Sequence, residues 1–85
     1  MKITVKYFAS IREAAGMGQE TVDLPDSEIS IDALRDELAA RNGKMREALS
    51  RDRVIRTAVD MQMQSGAYPL RDGCEVAFFP PVTGG

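Results

Sequence analysis

The sequence predicts an α+β fold, a small mixed sheet with helices packed over one face. Three observations carry this expectation. Lys2–Phe8 alternates, with Ile3, Val5 and Tyr7 on one face and Lys2, Thr4, Lys6 and Phe8 on the other, the period of a half-buried strand. Glu75–Phe79 repeats the pattern, with Val76 and Phe78 opposite Ala77 and Phe79. Between them Ile31, Leu34 and Leu38 stand three and four residues apart, an apolar helical stripe. With 85 residues the chain has room for one domain and one modest core, and alternating strands and helices in so short a chain call for a layered sheet.

The remaining elements follow in order. Ser10-Ile11-Arg12-Glu13 fits a capping box, Ser10 being the N-cap of a short helix that Gly16 ends. Glu20–Leu24 is a second strand with Val22 and Leu24 inward, ended by Pro25. Ser30 caps the striped helix, and Asn42-Gly43 is its C-terminal stop. Asp32, Arg35, Asp36 and Arg41 lie off the stripe and are expected to face water. Lys44–Arg53 is charged and weakly patterned, and Met45, Ala48 and Leu49 are expected to form a single helical turn on the core. The cluster Arg46, Arg51, Arg53 and Arg56 is read as a solvated loop, with contact to a partner as the alternative. Val54–Met63 reads as a strand or hairpin arm, Ser65-Gly66 as a turn, Tyr68-Pro69-Leu70 as an edge piece and Arg71-Asp72-Gly73 as another turn.

Composition excludes several functions. Eleven basic against thirteen acidic residues give a net charge of −2, which argues against binding to a nucleic-acid backbone. There is no histidine and a single cysteine, Cys74, so the usual zinc sets, Cys–His pairs, Ser–His–Asp triads and disulfide frameworks are all out of reach. Neither a membrane span nor a signal peptide is expected, and a cytoplasmic carrier or binding module is the simplest reading.

The chemistry is expected at the end of the chain. Residues 1–79 form the domain and 80–85 an extended tail, Pro80-Pro81-Val82-Thr83-Gly84-Gly85. No side chain after Glu75 is charged, so the only charge there is the α-carboxylate of Gly85. Six extended residues reach about 20 Å. The Pro-Pro pair stiffens the tail, and the side-chain-free Gly84 and Gly85 let a narrow channel close on the backbone. A carboxylate at such a tip can be activated by ATP as an acyl-adenylate, and a sulfur nucleophile can then displace AMP to leave a thiocarboxylate.

The run Phe78-Phe79-Pro80-Pro81-Val82-Thr83-Gly84-Gly85 resembles the C-terminal signature of the small sulfur-carrier subunits of molybdopterin synthase. Tyr7-Phe8-Ala9 with Ile11-Arg12-Glu13, and Leu70, Asp72-Gly73 and Glu75-Val76, resemble the same family elsewhere; residues 42–54 match least. Cys74 stands where that family suggests an Asp, and Asp60 where it suggests an Asn.

The resemblance implies a ubiquitin-like β-grasp fold and a sulfur carrier in molybdenum cofactor synthesis. An E1-like adenylyltransferase would consume ATP to adenylate Gly85, and a sulfur donor protein would supply the thiocarboxylate. The tail would then deliver sulfur to cyclic pyranopterin monophosphate inside the large subunit, in a heterotetramer. Gly84 and Gly85 are the reacting tip, and the catalytic side chains belong to the partners. No stably bound cofactor, nucleic acid or membrane is implied. Phe8, Met63 and Phe79 are expected to form an exposed apolar docking patch, with Arg12 as a polar contact and Pro80, Pro81, Val82 and Thr83 as the inserted segment. The same ending also suits carriers for thiazole synthesis, tRNA thiolation or protein conjugation, or an interaction module whose tail is never activated.

Overall fold

Two strands from opposite ends of the chain form the centre of the sheet. The computed structural model describes residues 1–81, so Val82, Thr83, Gly84 and Gly85 lie outside the described residues. Strand β1 (Lys2–Tyr7) pairs in parallel with β7 (Glu75–Phe79), Val5 opposite Val76 and Tyr7 opposite Phe78. β2 (Gln19–Asp23) pairs antiparallel with the other edge of β1. β4 (Arg56–Val59) pairs antiparallel with β7, and β5 (Gln62–Met63) with β4, giving the order β2-β1-β7-β4-β5. A second sheet of two residues per strand joins β3 (Ile29–Ser30) to β6 (Pro69–Leu70).

Helices α1 (Ala9–Ala15), α2 (Ile31–Ala39) and α3 (Gly43–Leu49) cover one face. Strand parity sends Ile3, Val5, Tyr7, Val22, Val59, Val76 and Phe78 toward them, and Ile11, Ile31, Leu34, Leu38, Met45 and Leu49 meet these in one continuous core. Phe78 is fully buried at its centre, where truncation to Ala would cost about 3–5 kcal/mol. Ser30 caps α2 as expected, its Oγ accepting from the Ala33 amide at 3.0 Å. Gly16 ends α1 in the left-handed region at φ 75°.

Five local expectations are corrected. Ser10 is not the N-cap of α1. Phe8 stays extended after β1, and its carbonyl accepts from Ile11 and Arg12, so the first turn closes two residues earlier. Asn42 does not merely stop α2; it starts α3, accepting the Met45 amide at 2.9 Å. The helix there runs two turns rather than the single one expected, and it buries Met45 and Leu49 in the core as their spacing suggests.

Val54–Met63 is broken by a two-residue turn, Asp60-Met61, with φ of 47° and 70°. The Asp60 amide donates to the Glu75 carbonyl and its carboxylate accepts the Glu75 amide, fixing the turn to β7. Arg35 does not face water. It is buried and donates to the carbonyls of Leu49, Ser50 and Arg53 at 2.6–2.7 Å, tying α2 to the end of α3.

Candidate functional site

The face of the sheet opposite the helices carries the outward residues of each strand. The register aligns Lys6 with Ala77, Ala77 with Ala58, and Ala58 with Met63. One step toward the C-terminal end of β7, Phe79 lies opposite Arg56. Phe8, the first residue past β1, turns its ring edge-on to Phe79, with centroids 6.2 Å apart and planes at 87°. Phe8 and Met63 are about half exposed, at 46% and 52%, whereas Phe79, expected to be exposed with them, is partly buried. All three helices send their buried side chains into the core on the other side, so these rings and the methionine are left on an open face. The Lys6–Glu75 ion pair, 3.2 Å, lies along the same face.

The tail leaves from this patch. Phe8 donates its amide to the Phe78 carbonyl at 3.2 Å, a last rung beside the end of β7. Pro80, half-buried, lines the mouth of a hollow of about 390 Å³ between α1 and α3, with Ser10, Ala14, Lys44, Ala48 and Val54 around it. Pro81 is likewise half-buried. Arg12 lies one turn along α1 from Phe8; it is exposed, and its guanidinium rests where a side chain on Gly18 would project. The structure thus brings Phe8 and Phe79 together at one end of the open face, with Met63 farther along it, while Pro80, the next residue, lies against the hollow between α1 and α3. Val82, Thr83, Gly84 and Gly85, expected to be inserted and activated, are outside the described residues.

The sequence pattern of the ThiS family matches residues 5–85. The chain belongs to that family. It is 41% identical over 85 residues to the molybdopterin synthase sulfur carrier subunit of Escherichia coli (strain K12), an alignment covering 98% of this chain and 99% of that one. The fold is the ubiquitin-like β-grasp. SAMP1 from Haloferax volcanii superposes with a TM-score of 0.77 at 26% identity over the whole of both chains. A chain from the complex of subunits 1 and 2 of the molybdopterin-converting factor of Helicobacter pylori shares the fold, with a TM-score of 0.67 and 23% identity over the full length of both.

In this ThiS-family chain several titratable groups away from the patch have structural partners. Tyr7 Oη donates to Glu20 at 2.6 Å, and Arg41 grips both Glu20 oxygens at 2.7–2.8 Å. Burial alone would raise the Glu20 carboxyl, but the hydrogen bonds from Arg41 and Tyr7 outweigh it and hold the group below the usual range. Burial, together with the neighbouring Asp60 and Asp72, pushes the Cys74 thiol up, which disfavours the thiolate a sulfur-transfer cysteine needs. No group of three or more metal-ligating side chains occurs among the described residues. No helix among them is long and apolar enough to cross a membrane.

Sequence reasoning groups Arg56 with the loop arginines, with partner contact as the alternative reading; the register separates it from them and sets it on the outer face, opposite Phe79.

Proposed function

We propose that this chain is the sulfur-carrying subunit of a molybdopterin synthase, with the α-carboxylate of Gly85 as its working group. The carboxylate attacks the α-phosphorus of ATP and pyrophosphate leaves. Hydrosulfide supplied by a sulfur donor protein then attacks the acyl carbon, AMP leaves, and the thiocarboxylate remains. The E1-like adenylyltransferase and the large synthase subunit supply the catalytic side chains, and the tail enters each in turn. Two deliveries to cyclic pyranopterin monophosphate build the dithiolene. The name carried by the E. coli relative supports this route over those of other carriers with the same fold, and a two-subunit assembly is what the H. pylori complex contains.

The observation that carries the reading is the position of β7. It runs through the middle of the sheet, buries Val76 and Phe78, and ends with Phe79 on the open apolar face, directly before Pro80-Pro81. A partner seated against Phe8 and Phe79 is therefore already at the root of the tail. Binding there orients the tip without new order in the domain.

The test is the intact mass after incubation with ATP, a sulfur donor and the host's E1-like enzyme. Replacement of one oxygen by sulfur, lost on deletion of Gly85, is the expected result. No mass change with an enzyme shown to be active on another carrier would overturn the reading.

A further inference from the structure

Arg56 is an exposed charge on the open face with no acceptor among the described residues. Most of the arginines are held by acceptors within the chain: Arg35 and Arg53 by backbone carbonyls, Arg41 by Glu20, Arg51 by Asp36 and Arg71 by Glu28. Arg56 is exposed and has no ion pair or hydrogen-bond acceptor among the described residues. The register sets it directly opposite Phe79, on the same outer face as Ala58 and two residues from it, and Ala58 in turn faces Met63. A guanidinium beside an aromatic pair and a methionine is the composition of an interface anchor rather than of a solubilising surface.

The segment that leads into it is net basic. Residues 44–56 carry Lys44, Arg46, Arg51, Arg53 and Arg56 against Glu47 and Asp52, a local excess of +3 in a chain whose net charge is −2. Of these five, Arg56 is the one the strand register puts on the open face. A partner that covers Phe8 and Phe79 also removes water from Arg56, and an unpaired buried guanidinium costs more than the apolar contact returns unless an anion meets it.

We propose that Arg56 is the charged anchor of the docking face, and that the tail-accepting large subunit presents an aspartate or glutamate side chain to it. The inference rests on the carrier reading above and names the chemistry of the partner's surface. The carboxylate forms a forked pair with the guanidinium beside the entrance through which the tail passes, so it fixes the angle at which the tail enters.

The experiment is titration calorimetry of the full-length chain against its own host's large subunit, at low and high salt. R56E is expected to weaken binding by at least about tenfold and R56K by less, because an ammonium keeps the charge and loses the fork. R46E makes the same change in net charge on the helical side of the molecule. It is expected to stay within about twofold of the natural chain, since surface charges beyond a Debye length are screened. An acidic-to-lysine scan of the large subunit is expected to find a position that restores R56E. Circular dichroism confirms that each variant is folded. R56E binding as tightly as the natural chain would overturn the proposal while leaving the carrier reading intact. A natural chain that does not bind the large subunit at all would overturn both.

Discussion

At Glu20 two donors converge on one carboxylate, Tyr7 from β1 and Arg41 from just beyond α2. The three side chains join the second strand, the first strand and the end of the long helix. Because Glu20 titrates lower in the folded chain than in the unfolded one, the unfolded chain takes up the proton first as pH falls. The stabilisation is complete above the ordinary glutamate range and is lost as pH drops through and below about 4. Glu20→Gln should cost on the order of 1 kcal/mol at neutral pH and flatten the acid limb of stability; urea midpoints between pH 7 and 3 test both. Arg35 teaches a different lesson. Its place off the apolar stripe was legible, but its burial was not, because the carbonyls it serves exist only where α3 ends. A residue whose partner is another element's terminus cannot be read from its own helix.

At the scale of elements, the caps decide what the apolar pattern leaves open. Asn42 caps α3 and Ser10 caps nothing, although the local sequence favoured the opposite roles. Asn42→Ala should destabilise by about 1 kcal/mol and Ser10→Ala by far less, a contrast that thermal melts of the two variants resolve. The strands that carry the core were legible because alternation over five or six residues leaves little ambiguity. The β3–β6 ladder was not, since two residues have no period. The β4–β5 turn was hidden for a further reason: it lacks glycine. Met61 holds φ 70° and is 90% exposed. Glycine there would relieve about 1–2 kcal/mol of left-handed strain against roughly 0.4–1 kcal/mol of added chain entropy. Met61→Gly is therefore expected to raise the melting temperature by a few degrees; a lower one would show that the methionine packs where it stands.

For the whole molecule, what matters is how the domain and the tip divide the work. The core side chains end at Phe78, so chemistry at the tip and stability of the domain are separable. Gly84→Val should leave the melting temperature unchanged and block either the oxygen-to-sulfur mass shift or sulfur delivery to the pterin precursor. Unimpaired transfer by that variant would remove the argument for a narrow channel. Parity alone pointed Phe8 and Phe79 away from the buried face, while Met63 was legible only from its place near the end of the hairpin. What the sequence withheld was the neighbourhood, above all that Arg56 stands across from Phe79.

The parallel pairing of β1 with β7 has a consequence for how such a carrier is made. β7 is hydrogen-bonded on both sides, to β1 and to β4, although it is the last strand of the described chain. Until it arrives, the first-synthesised strand has an open edge and Phe78 is missing from the core. Pairings of such long sequence separation form late. An incomplete chain therefore presents neither the docking face nor a strand from which a tail could emerge. On the proposed function, a partner that reads this face would accept only molecules that have finished folding, and the sheet would act as its own inspection step before the tail is activated.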